Sequence, residues 1–359
     1  MGLVTSSAFQ VSPAVQVRAF VTLSTLASSD VDDDLLYQML VALKSAFLSY
    51  TDISDTTVMV SMLRCIRKVV LALPPHSRYL SQLFWLAVVL LQTGHMNLYD
   101  EAVQLLQASL ERMHNHGWFK DRGVAATLLE GRVPLEDVTN QIDTVLNLSF
   151  KSNFSFALAA IIFKGIRQQV LKDHAESALR SLLRITVQSN VDHDHDRNGP
   201  GTPICSDALG YFLALIPLST SVTSFKALLE DAQADRSWFS DEVIPSEEED
   251  DPMSKVPFTL LGMHDNMSAL YVAAFVTAIL GSAQGDDTET ELLFNIMSDI
   301  ANGYPDTISA TLVLSLSTRM PYSPLPVGSI VFKKKSRVPS PPLRILLSLL
   351  LHRTSSGSP

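Results

Sequence analysis

The sequence predicts an all-α fold of paired, antiparallel helices, and three observations carry that prediction. Between residues 30 and 95, apolar residues recur at helical spacing in three successive segments. They are Leu36, Leu40, Leu43 and Phe47; Met59, Met62, Ile66 and Val69; and Leu80, Phe84, Val88 and Leu91. The connections are only a few residues long, and short turns between such helices favour antiparallel neighbours. Pro74-Pro75 stops the second segment, because proline has no N–H and disfavours helical geometry in the residue before it. Each helix carries an apolar stripe that must be buried on a neighbour, which is the unit of an irregular HEAT/armadillo-like α-solenoid. It is irregular because no exact repeat period is visible.

Composition sets the bounds. A chain of 359 residues holds one long or two ordinary domains with a sizeable core. Hydrophobic residues at 47% against 18% charged imply extensive helix-on-helix burial. A net charge of −10 argues against a general nucleic-acid binder, whose affinity comes from neutralising phosphates. Cys65 and Cys205 give neither a disulfide framework nor a metal set. Cys65 sits among Leu63 and Ile66 and reads as a small buried hydrophobe. A reducing, cytoplasmic compartment fits. The mean hydropathy of +0.19 calls for a membrane check. The longest apolar runs, LFWLAVVLL from Leu83 and ALYVAAFVTAILGSA from Ala269, fall short of the roughly 18–20 residues a spanning helix needs. They read as deeply buried helices, which leaves at most peripheral membrane contact.

The first helical block covers residues 1–234. Its opening, MGLVTS, matches the N-myristoylation pattern with Gly2 as acceptor and Ser6 in place. So short a pattern recurs by chance, and a single acyl chain anchors only marginally, so lipidation is not assigned. SPAVQVRAFVTLSTLA reads as a helix with proline in its first turn, where the missing N–H is harmless. Val15, Ala19, Phe20 and Leu23 form its expected buried face, and Arg18 points outward. After the three central helices, NLYDEAVQLLQASLERM takes Asn97 as its N-cap and places Leu98, Ala102, Leu105 and Met113 on one face. Asp100 and Glu101 lie near its N-terminus, where the helix dipole favours them. NHGWFKDRGVAATLLEGR is a break punctuated by Gly117 and Gly123. Trp118 and Phe119 pack that turn, an exposed partner contact being the second reading of Trp118.

Pro134 opens VPLEDVTNQIDTVLNL; SNFSFALAAIIFKGIR is a very apolar helix, and AESALRSLLRITVQS reads as an outer one. VDHDHDRNGPG, residues 191–201, alternates His193 and His195 with Asp192, Asp194 and Asp196, all of them metal-binding types. Adjacent residues do not converge on one ion unless the chain wraps it, and no calcium-loop or helical His pattern is filled. The segment therefore reads as an exposed loop. DALGYFLALI and TSFKALLEDA follow as two helices separated at Pro217. Residues 235–258 form an acidic linker, with a run from Glu247 to Asp251 that resists ordering. A docking tail for a basic partner is its alternative reading. A second helical block spans 259–317, with ETELLFNIMSDIA as an amphipathic helix. Residues 318–359 read as a Pro-rich, disordered tail carrying Lys333, Lys334, Lys335 and Arg337. That basic patch is either simply solvated or a mark of nuclear import or anionic lipid. The sequons at Asn147, Asn153 and Asn266 fall in helical segments without a signal peptide, so glycosylation is discounted.

The segments DVDDDLLYQMLVALKSA, SMLRCIRKVV, LPPHSRYLSQLFWLAVVLLQTGH and LSFKSNFSFALAAIIFKGIR carry a further signal. Together they resemble the helical-repeat region of the neurofibromin family of Ras GTPase-activating proteins. The resemblance runs from about Val15 to Arg167, loosens towards Leu229 and resumes at ELLFNIMSDIANGYPDTI. In that family the region lies C-terminal to the catalytic and lipid-binding domains. The resemblance implies a non-catalytic scaffold that holds a larger architecture, self-associates with a second copy and supports negative regulation of Ras signalling at membranes. It implies that Ras is engaged only through a GAP domain outside this chain.

An active site is not expected. No Gly-rich phosphate loop, nucleophile elbow, H-E-x-x-H or C-x-x-C motif occurs in the sequence. Catalytic, cofactor-binding and metal-ligating residues are therefore none, and no cofactor is expected. GTPase activation needs an arginine inserted at the transferring phosphate. No stretch corresponds to the family's arginine loop, so no arginine here inherits that role. A reading from a different class is a stand-alone α-solenoid adaptor holding a protein or peptide partner in a concave groove. An enzyme, the third reading, needs a deep pocket with converging polar groups.

Overall fold

The computed structural model describes residues 8, 12–26, 31–49, 56–92, 95–133, 150–151, 154–191, 204–219, 221–233, 269, 272–273, 275–277, 279–280 and 287–304. The fold is all-α: helices and turns hold these residues, and no strand occurs among them. Outside the described residues lie Gly2, the segment 134–149, the Asp/His loop 192–201, the acidic linker 235–258 and the tail with Lys333, Lys334, Lys335 and Arg337. So do Asn147, Asn153 and Asn266. The chain divides into two compact units. The first takes the described residues up to Val133 except Gly123–Ala125, which belong with the second and the described residues from Phe150 onward.

Five helices lie wholly in the first unit, α1 Pro13–Leu26, α2 Asp33–Ser49, α3 Thr57–Ala72, α4 Tyr79–Leu90 and α5 Met96–Asn115, and α6 Gly123–Glu130 belongs to it from its fourth residue onward. Helix α3 lies against α1, α2 and α5, and α4 packs on α5. Every residue of the three predicted stripes on α2, α3 and α4 is buried, so the 3.6-residue period set the packing faces. Leu73, the residue before Pro74, ends α3 in extended backbone (φ −62°, ψ 145°), as the proline ring demands. Helix α4 exceeds an amphipathic pattern: Gln82 is its one residue not buried. Its Trp85 is fully buried, donates its indole N–H to the Leu128 carbonyl at 3.0 Å and lies under the Arg132 guanidinium, 4.6 Å from the ring centroid.

Three expectations need correction in this unit. Val15 is 38% exposed, because the buried patch of α1 is confined to Ala19, Phe20 and Leu23 and the first turn stands outside it. Asn97 does not cap α5. His95 holds the extended cap backbone (φ −94°, ψ 115°), its carbonyl accepts from the Tyr99 N–H at 2.8 Å, and Asn97 is already inside the helix. Asp100 and Glu101 lie beyond the first turn, where the dipole has its largest effect. After α5 the chain turns at Gly117 (φ 73°) and re-enters a helix at Gly123 (φ 72°), both in the left-handed region that glycine tolerates. Phe119 is buried in this turn. Trp118 is half-buried and donates its indole N–H to the Pro75 carbonyl at 3.0 Å.

The second unit contains α7 Phe154–Ile166, α8 Lys172–Val191, α9 Leu209–Leu215, α10 Val222–Asp231 and α11 Asp287–Gly303. Short 3₁₀ turns, Ser206–Ala208 and Ile216–Leu218, flank α9, and Pro217 sits in the second of them. Helix α7 packs on α8 and α9, and α8 packs on α9 and α10. The core is aromatic: Phe275 meets Phe156 and Phe163 edge-on at 5.7 and 6.5 Å, and Phe212 meets Phe225 at 6.5 Å. Ser221 opens α10 with a reciprocal capping box to Ser224. Arg180 on α8 ties α10 in place, bonding Asp231 at 2.7 Å and Glu176 at 2.9 Å.

Candidate functional site

A polar cluster in the first unit joins α3 to α5. Arg64 and Arg67 stand three apart on α3, as do Glu101 and Gln104 on α5, so each pair shares one helix face. The two helices cross with these faces together. Arg64 donates to Glu101 Oε1 from Nε at 2.9 Å and from Nη2 at 2.5 Å, while Arg67 approaches Oε2 at 3.8 Å. Arg67 also donates to the Gln104 side-chain oxygen, and Gln104 donates to Asp100 at 3.0 Å. The Glu101 side chain is 2% exposed, and a carboxylate so buried is tolerable only when paired. Both of its oxygens face guanidinium groups, so the cluster serves as a clamp between helices. Glu101→Ala is expected to lower stability by about 1–3 kcal/mol, the worth of charged hydrogen bonds, because half-exposed Arg64 can recover water. Urea unfolding of Glu101→Ala, Arg64→Ala and the double variant measures this. Additive losses would mean that the pair is not coupled.

A second cluster closes the turn between α3 and α4. The last carbonyls of a helix lack intrahelical partners, and Arg112 of α5 supplies one by donating Nε to the Leu73 carbonyl at 3.1 Å, with Nη2 on the same oxygen. Ser77 donates to Asp33 at 2.7 Å, which ties the same turn to the start of α2. His116 lies beside Arg112 and His76. Burial first, then the Arg112 guanidinium, hold its pKa below the ordinary histidine value of 6.5, while the Leu73 carbonyl acts in the opposite direction and His76 adds a small lowering. The unfolded chain therefore takes up this proton first. The contribution to stability is complete above pH 6.5 and is lost as pH falls from there through the depressed folded value. His95, depressed by burial, adds a loss of the same sign. A stability–pH profile of His116→Gln is expected to be flatter than that of the unaltered protein below pH 6.5, and identical slopes would overturn this assignment.

The third feature is apolar. Tyr37, Val41 and Leu48 form one stripe on α2, 37%, 37% and 55% exposed, beside the buried face of Leu36, Leu40, Leu43 and Phe47. Exposed apolar stripes of this kind are where a further helix or a protein partner can pack.

Sequence reasoning found neither the clamp nor the stripe. By sequence Glu101 reads as a helix-dipole residue, and the signal for the clamp is a spacing of three shared by Arg64/Arg67 and Glu101/Gln104. The stripe was legible as apolar residues left over once the core face was chosen. Cys65 is fully buried and free, and burial pushes its thiol up to about 12, so it is not a reactive thiolate. Among the described residues no group of His, Cys, Asp or Glu is arranged to hold a metal, and no helix is long and apolar enough to cross a membrane.

No protein-family profile matches the chain. A crystal structure of an engineered protein aligns over 97% of this chain and 98% of that one, at 11% identity and a TM-score of 0.22, from which nothing about the fold follows. The inhibitory regulator protein IRA1 of Saccharomyces cerevisiae is 23% identical over 286 residues. Those residues are 78% of this chain, and the chain spans 9% of that protein's length. The chain is thus distantly similar, over most of its length, to a small part of a yeast inhibitory regulator protein.

Proposed function

We propose that this chain is a non-catalytic helical scaffold segment of a neurofibromin-like Ras GTPase-activating protein, and that it supports negative regulation of Ras signalling in the cytoplasm. The observation that carries the reading is the similarity to the yeast inhibitory regulator across 78% of the chain, in a sequence that also resembles the helical-repeat region of the neurofibromin family. The arrangement of the first unit supports the finer fold, an irregular HEAT/armadillo-like α-solenoid. There, α3 neighbours both α1 and α5, two places away in each direction, while α2 packs on α3 and α4 on α5 as sequential pairs. The polar clusters support a structural role, since each one ties a helix or a turn to its neighbour. In this reading the partners are proteins, including a second copy of the chain, and Ras is reached only through a GAP domain elsewhere. The exposed stripe of Tyr37, Val41 and Leu48 favours a second reading, a stand-alone adaptor that binds a protein or peptide.

A chimera tests the proposal. The matched stretch of the yeast inhibitory regulator is replaced by this chain, and GTP-bound Ras is measured in cells together with the amount of chimera. Ras-GTP is expected to stay at the level set by the unaltered regulator. A chimera that accumulates normally while Ras-GTP rises to the level of a deletion strain would overturn the scaffold assignment. The purified chain alone is expected to leave the GTPase rate of Ras unchanged.

A further inference from the structure

We draw no further inference here: the strongest candidate, the exposed apolar stripe of Tyr37, Val41 and Leu48 on α2, is an unpartnered helix face, and nothing in the structure shows what covers it.

Discussion

Trp85→Ala is expected to remove about 3–5 kcal/mol from the first unit, the range measured for truncating large buried aromatics. Three losses combine. The indole leaves a cavity in a helix that is buried on nearly every side, because of the thirteen positions Tyr79–Leu91 Gln82 is the one not buried. The hydrogen bond to the Leu128 carbonyl at 3.0 Å disappears, and so does the ring beneath Arg132. Trp85→Phe keeps most of the volume but leaves the buried Leu128 carbonyl without its indole partner, so its expected cost is about 1–3 kcal/mol. Since a typical domain is stable by only about 5–15 kcal/mol, the alanine variant comes near the limit of folding at all. Guanidinium unfolding followed by far-ultraviolet circular dichroism reads both variants. An alanine variant as stable as the phenylalanine one would show that α4 is not the centre of this core.

Gly210→Ala is expected to destabilise the second unit by about 1–3 kcal/mol, the usual range for forcing extra atoms into a packed core. Helix propensity alone predicts the opposite sign, since alanine in a helix interior gains about 0.5–1 kcal/mol over glycine. Contact decides between them. A Cβ on Gly210 would stand 2.6 Å from the Phe156 nitrogen and the Ser155 carbonyl carbon, and 2.7 Å from the Ser155 oxygen. These are main-chain atoms of α7, which cannot rotate out of the way as a flexible side chain can. Helices α7 and α9 would have to separate, loosening the buried α7 face. The midpoint of thermal unfolding is therefore expected to fall, and a rise would show that propensity outweighs the close approach.

Much of the fold was legible because its signals are local. The stripes of α2, α3 and α4 follow from the 3.6-residue period, and the end of α3 at Leu73 follows from the steric demand of Pro74. Pro217 marked the end of α9 for a similar reason, the chain tightening into a 3₁₀ turn there. The misses also have physical causes. Asn97 is a good capping type, yet His95 took the cap, because the cap position is set by where the backbone leaves the helical region rather than by residue preference. Val15 fits its stripe in projection, but α1 buries only a short middle patch.

What the sequence determined by itself is the helical class and the buried stripes of α2, α3 and α5, since period, proline and glycine act over a few residues of chain. Only the tertiary structure decided that Glu101 is a buried partner of Arg64, 37 residues away, that Trp118 reaches back to Pro75, and that Gly210 lies against the α7 backbone. These depend on which helices pair and at what distance. That outcome belongs to the packed core as a whole, and no window of local sequence encodes it.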